Sequence, residues 1–248
     1  MIEVKGLSKS FGSKRVLDKV DLSFATGKIH FIIGRSGTGK SVLLKSLVGL
    51  LTPEEGEIWI GGKRVDGRGE EEWGEVRRHC GMVFQSPALL DSLTIRENVA
   101  FGLRAHSLTA TPAEEESRVK ELLSWVGVPL DCLGKLPTEL GFSLQKRVSI
   151  ARTLAPSPNH LLFDEPTTGL DPVTTTRINH LIERLARQLN LTVVVVSHDM
   201  HCALAIADQI VMLDQAKVIA SGSPKELEKS TSQVVREFLR EAIARRSA

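Results

Sequence analysis

Eight consecutive residues, Gly34-Arg35-Ser36-Gly37-Thr38-Gly39-Lys40-Ser41, satisfy the spacing G-x-x-x-x-G-K-[ST]. Each fixed position has a chemical job. Glycines let the main chain curl around an anion without Cβ clashes, so that several backbone N–H groups converge on it. Lys40 is a mobile ammonium that can reach the β- and γ-phosphates of a nucleotide, and the Ser41 hydroxyl is a ligand suited to Mg²⁺. The flanks supply the scaffold. Ile29-His30-Phe31-Ile32-Ile33 reads as a buried strand, and Val42, Leu43, Leu44, Leu47 and Val48 open a helix whose positive end faces the turn. Residues Gly34 through Val42 therefore predict a nucleoside triphosphate site. A second station is Leu161-Leu162-Phe163-Asp164-Glu165-Pro166. Asp164, ending an apolar strand, can hold a Mg²⁺ shell, and Glu165 beside it can polarise an attacking water as general base.

These stations need an α/β scaffold, and the rest of the chain is patterned as one. At 248 residues, 42% hydrophobic and 25% charged, it can bury a sizeable core as one large domain with an inserted subdomain. The runs 31–33, 81–84, 160–163 and 192–196 are short and nearly continuously apolar, as expected of strands in a mostly parallel sheet covered on both faces. Ile2-Glu3-Val4, Val20-Asp21-Leu22-Ser23-Phe24 and Gly56-Glu57-Ile58-Trp59-Ile60 alternate instead, which predicts a small antiparallel sheet. Between Ser86 and Ala155 the pattern turns helical, with acidic residues after Pro112 opening one helix. The expected division is a nucleotide-binding core (1–85 and 156–223), a helical subdomain (86–155) and an amphipathic C-terminal tail (224–248).

Composition sets limits on partners. A net charge of +2 projects no strong field toward nucleic acid. Cys80, Cys132 and Cys202 are too widely spaced for a metal knuckle and read as reduced thiols of a cytosolic protein. The start, Met1-Ile2-Glu3-Val4-Lys5, has strand character and no signal-peptide pattern, and the apolar run 191–196 is too short to cross a bilayer. Any membrane role is expected to be peripheral.

The order of motifs resembles the nucleotide-binding subunit of an ATP-binding cassette (ABC) transporter from about Ile2 to Phe238. The matching stretches are the phosphate loop, Val83-Phe84-Gln85, Leu136-Pro137-Thr138-Glu139-Leu140, Lys146-Arg147-Val148-Ser149-Ile150-Ala151-Arg152, Asp164 through Pro172, and Ser197-His198-Asp199. The resemblance implies the P-loop ABC ATPase fold, ATP and Mg²⁺ as ligands, a transmembrane permease and a second ATPase subunit as partners, and a place on the cytoplasmic face of an inner membrane. It implies that Gln85 lies near Mg²⁺ and the permease, that Asp171 reaches across a dimer, that His198 touches the γ-phosphate, and that Phe11 stacks on adenine. A narrower likeness, in 33–45, 83–94, Asp171-Pro172-Val173-Thr174 and His198-Asp199-Met200, is to the ATPase of Mla/Mce-type phospholipid transporters. It implies lipid transport in a bacterial envelope, with a lipid-binding Mce-domain protein in the complex.

One stretch departs from the family. Where most members have Leu-Ser-Gly-Gly followed by Gln or Met, this chain has Leu140-Gly141-Phe142-Ser143-Leu144. In the family that serine and the glycine N–H groups close on the γ-phosphate held by the other subunit. Gly141 lacks the hydroxyl, Phe142 adds bulk, and Ser143 offers a partial substitute. The departure leaves open a second function, a regulatory subunit that clamps ATP and turns it over poorly. A third class, the soluble ABC ATPases of DNA repair or translation, lacks support in this chain, which has no coiled-coil insertion and no second cassette.

Overall fold

The computed structural model describes residues 1–67, 69–109 and 111–244, with side chains through residue 240. Two sheets carry the fold. The first is antiparallel, with spatial order β2-β1-β4-β5, built from β1 (Ile2–Phe11), β2 (Lys14–Phe24), β4 (Glu55–Ile60) and β5 (Lys63–Arg64). The second has six strands in the order β10-β9-β3-β8-β7-β6: β3 (Ile29–Ile33), β6 (Cys80–Val83), β7 (His160–Asp164), β8 (Thr192–Ser197), β9 (Gln209–Asp214) and β10 (Lys217–Gly222). All its neighbouring pairs are parallel except β9 with β10.

The apolar strands are continuous because each face of the sheet has its own core. Ile29, Phe31 and Ile33 enter one cluster while Ile32 enters the other. In β8, Val193 and Val195 part from Val194 and Val196 in the same way, as do Leu161 and Phe163 from Leu162 in β7. This is the two-residue period of a strand written into two hydrophobic layers. One layer holds the antiparallel sheet, α1 (Lys40–Leu47) and Trp73 of α2 (Glu70–His79). The other gathers α3 (Ile95–Arg104), α4 (Pro112–Trp125), α5 (Phe142–Leu154), α6 (Pro172–Gln188) and α7 (Met200–Ile206).

Several elements differ from the expectation. The strand β9 was not foreseen: Ile210-Val211-Met212-Leu213 is too short an apolar run for its pattern to distinguish strand from helix. The helix α2 also has no legible apolar stripe, since Trp73 alone of its ten residues is buried. The tail is two helices rather than one, α8 (Pro224–Glu228) and α9 (Gln233–Ala244), because Ser223 caps a short first helix that ends at Glu228, with Lys229 as its C-cap. Its last four residues, 245–248, lie outside the described residues.

Candidate active site

Four parallel strands end at the same edge of the sheet, where open α/β sheets bind ligands. Register brings their last residues level: Ile33 pairs with Ser197, Asp164 with Val196 and Val83 with Phe163. The next residues of these strands are the phosphate loop, His198, Glu165 and the Phe84-Gln85 segment.

The loop between β3 and α1 is tightly folded. Gly39 has φ +99° and caps α1, and a Cβ there would lie 2.5 Å from the Val16 carbonyl. A Cβ on Gly34 would lie 2.3 Å from the Leu213 carbonyl. Larger residues fit at neither place, which explains both fixed glycines. Lys40 is buried, and its Nζ donates to the carbonyls of Gly34 (2.8 Å) and Arg35 (3.1 Å). The ammonium is 3.7 Å from Glu165 Oε1. Burial lowers the Lys40 pKa, against the pull of the Glu165 and Asp164 carboxylates.

Ser41 Oγ donates to Asp164 Oδ1 at 2.7 Å. Two hard oxygen donors from loop and strand are thus already adjacent, a pair that would suit Mg²⁺. Glu165 is in the left-handed region at φ +49°, where a non-glycine residue is uncommon and marks stored backbone strain. Its Oε2 accepts from Thr168 Oγ1 (3.2 Å) and meets His198 Nδ1 at 2.9 Å. A carboxylate oxygen can only accept, so that contact places a proton on Nδ1.

Ser36, Gly37, Gly39, Lys40, Ser41, Val42, Gln85, Glu165, Thr168 and His198 line one cavity of about 410 Å³, with Val16 of β2 completing its wall. A neighbouring cavity of about 530 Å³ shares Thr168 and His198 but has no phosphate loop. Gly34, Arg35 and Thr38 shape the loop from behind: Thr38 donates to the Arg35 carbonyl through N (3.4 Å) and Oγ1 (2.9 Å).

The remaining candidates are not gathered there. Phe11 is 50% exposed at the end of β1, outside the cavity lining, with Lys9 Nζ 5.5 Å from its ring centre. Asp171 caps α6 through Thr174 N (3.0 Å), and the Thr174 side chain, followed by that main-chain bond, lowers its carboxyl pKa. Gly141 and Ser143 sit at the start of α5, where Gly141 is the N-cap and has no side-chain hydrogen bond to offer. Phe142 between them is 41% exposed. Sequence reasoning missed Thr168, which holds the general-base candidate, and Val16, which carries no chemical signal at all.

The fold and the cavity define a nucleotide-binding α/β cassette with a phosphate loop, a strand-ending carboxylate pair and a histidine. The chain matches the family profile described as ABC transporter over residues 17–168, and it belongs to that family. It is an ATPase of the ABC type and the ATP-binding subunit of a transporter. It is 39% identical over 246 residues to the intermembrane phospholipid transport system ATP-binding protein MlaF of Haemophilus influenzae, covering 97% of this chain and 90% of that one. It is 40% identical to the probable ribonucleotide transport ATP-binding protein mkl of Mycobacterium leprae, covering 96% of this chain and 68% of that protein. For the same-named Mycobacterium bovis protein the chain spans 66% of its length. Among solved structures, the dimeric ATP-binding cassette MJ0796 with ADP and Pi superposes with a TM-score of 0.83 at 32% identity, over 90% of this chain and 99% of that one.

Proposed function

We propose that this chain hydrolyses ATP to drive a membrane permease that moves phospholipid, working as a pair of cassettes on the cytoplasmic face of the membrane. The observation that carries the catalytic half is the convergence of Lys40, Ser41, Asp164, Glu165, Gln85 and His198 at one strand edge. In this reading ATP lies with its phosphates along the Gly34–Val42 loop. Lys40 neutralises the β- and γ-phosphates, and Glu165, held by Thr168 and His198, accepts the proton of the attacking water as ADP leaves. Mg²⁺, held by Ser41, Asp164 and the phosphates with Gln85 nearby, would supply further charge neutralisation. The start of α5, with Gly141, Phe142 and Ser143, faces the nucleotide of the second subunit, Asp171 reaches across the same interface, and Phe11 stacks on adenine.

Near end-to-end coverage of the MlaF-named relative supports phospholipid over methionine, whose MetN-named relative in Caulobacter vibrioides has the same 39% identity but is covered over 73% of its length. A permease contact is supported at the loop after Gln85. Buried Asn98 ties both main-chain groups of Leu90, at 2.8 and 3.0 Å, while the Leu90 side chain stays 39% exposed. Among the described residues no helix is long and apolar enough to cross a membrane, so the permease would supply the span. Purification of the native complex with identification of its subunits tests the reading. A permease with an Mce-domain lipid-binding protein is expected, and a soluble amino-acid or sulfate receptor in its place would overturn the phospholipid assignment. The second reading, a regulatory ATP clamp, is favoured by one observation, the exposed Phe142 at the start of α5.

A further inference from the structure

Lys146 lies in the second turn of α5, four residues after Phe142, and is 1% exposed. A lysine is seldom buried this completely without a carboxylate partner, because removing an ammonium from water costs several kcal/mol in order-of-magnitude terms. Here Nζ donates to the main-chain carbonyl of Gln85 at 2.5 Å and lies 5.3 Å from the centre of the Phe142 ring. The carboxylates of Glu165 and Asp164 act on it from farther off, and burial brings its pKa down to about 8. A second cation of the same helix repeats the contact: Arg152 Nη2 donates to the carbonyl of Ala88 at 2.8 Å. Ala88 itself has φ +50°, so this loop is held in a conformation that an alanine adopts at a cost. Helix α5 thus grips the 85–88 loop at two carbonyls, and Gln85, the first of them, is in the wall of the nucleotide cavity.

We propose that Lys146 is a positioning residue for ATP hydrolysis: from inside α5 it fixes the main chain of Gln85, so that the Phe142 turn and the Gln85 wall of the cavity move as one piece. A costly buried charge is retained because the loop carbonyl and the Phe142 face need a donor that reaches both. Contact made at the start of α5 is thereby transmitted to the Gln85 side chain without rearrangement of the phosphate loop, which Lys146 does not touch. The inference rests on the cavity being the nucleotide site.

The test compares Lys146→Met, Lys146→Arg, Gln85→Ala, the Gln85→Ala/Lys146→Met double variant and Glu165→Gln in the purified full chain, by steady-state ATPase kinetics and thermal melting. Lys146→Met is expected to melt at or above the parental temperature, since an apolar chain of similar length replaces a buried charge. Its kcat should fall roughly tenfold or more with KM for ATP nearly unchanged, as a misplaced positioning group does. Lys146→Arg, which keeps a donor, should recover part of that loss. The double variant should be no slower than Gln85→Ala alone, because both changes act through one side chain. Multiplying losses, an unchanged kcat, or a Lys146→Met protein that melts well below the parent would each overturn the inference. Glu165→Gln separates the two failures: if it too leaves hydrolysis intact, the cavity is not the catalytic site, and if it alone abolishes hydrolysis, only the role of Lys146 falls.

Discussion

At the phosphate loop the groups that a nucleotide needs already touch one another, whereas at the start of α5 they are spread over an open surface. Lys40 is tied to two loop carbonyls, Ser41 to Asp164, and Glu165 to Thr168 and His198, all within one chain. Gly141, by contrast, has open space around its Cβ position, and Phe142 is 41% exposed. Preorganisation can be paid for by a single chain only where its own sheet edge supplies both halves of a site. The α5 start has no such second half, so its chemistry depends on what comes to meet it.

The largest expected effect would break the first region outright. Replacing Glu165 with Gln keeps the shape and the Thr168 contact but removes the proton acceptor, so kcat should fall by about 10² to 10⁴ while ATP remains bound. Parental turnover would put the base elsewhere. Next in size is Lys40→Ala. It removes a charge-assisted contact of about 1.5–3 kcal/mol, which corresponds to roughly 10- to 150-fold weaker ATP binding in a calorimetric titration. An unchanged affinity would mean that the backbone amides alone bind the phosphates.

The same contrast explains what was legible in the sequence. Gly34, Gly39, Lys40 and Ser41 are readable because backbone sterics and phosphate reach permit few residues at those positions, and Asp164-Glu165 because an apolar strand announces where it ends. The parallel sheet was legible from continuous apolar runs, but β9 was not, being four apolar residues with no turn signal of its own. Lys146 is the clearest failure. In the sequence it is only the first residue of a family-matching stretch, and nothing local reveals that Gln85, 61 positions away, supplies the carbonyl that draws it inside. Thr168 was visible only as part of a longer motif, since its bond to Glu165 depends on the left-handed turn at that carboxylate.

An intermediate effect sharpens the second region. Gly141→Ser with Phe142→Gly restores a hydroxyl and removes bulk where the structure leaves room for both. If the second subunit's phosphate meets this turn, turnover should rise roughly tenfold, the equivalent of about 1.4 kcal/mol from one recovered charge-assisted hydrogen bond. The gain should disappear in the Glu165→Gln background, because a better clamp does not replace the chemical step. Equal or lower turnover in the assembled complex would mark the Gly141-Phe142-Ser143 turn as a working variant, with the Phe142–Lys146 contact as part of how it works.

The smallest effect asks how self-sufficient the first region is. The guanidinium of Arg35 lies 5.7 Å from the ring centre of Phe238 in α9. The carbonyl of that same arginine accepts from Lys40 Nζ, Thr38 N and Thr38 Oγ1. A chain of contacts therefore runs from the C-terminal helix to the Lys40 ammonium, the proposed phosphate ligand, while Val235 and Leu239 anchor α9 in the core. An exposed cation–π contact is worth about 0.5–1 kcal/mol, so Phe238→Ala should weaken ATP binding by roughly two- to fivefold, with kcat little changed. Arg35→Ala should produce a loss of the same size, and the two together no more than either alone, if they report one contact. Losses that add would separate the helix from the loop, and the phosphate end would then be autonomous within the strands and turn that form it. Losses that merge would make α9 a support of the nucleotide site, joining the tail of the chain to its phosphate loop.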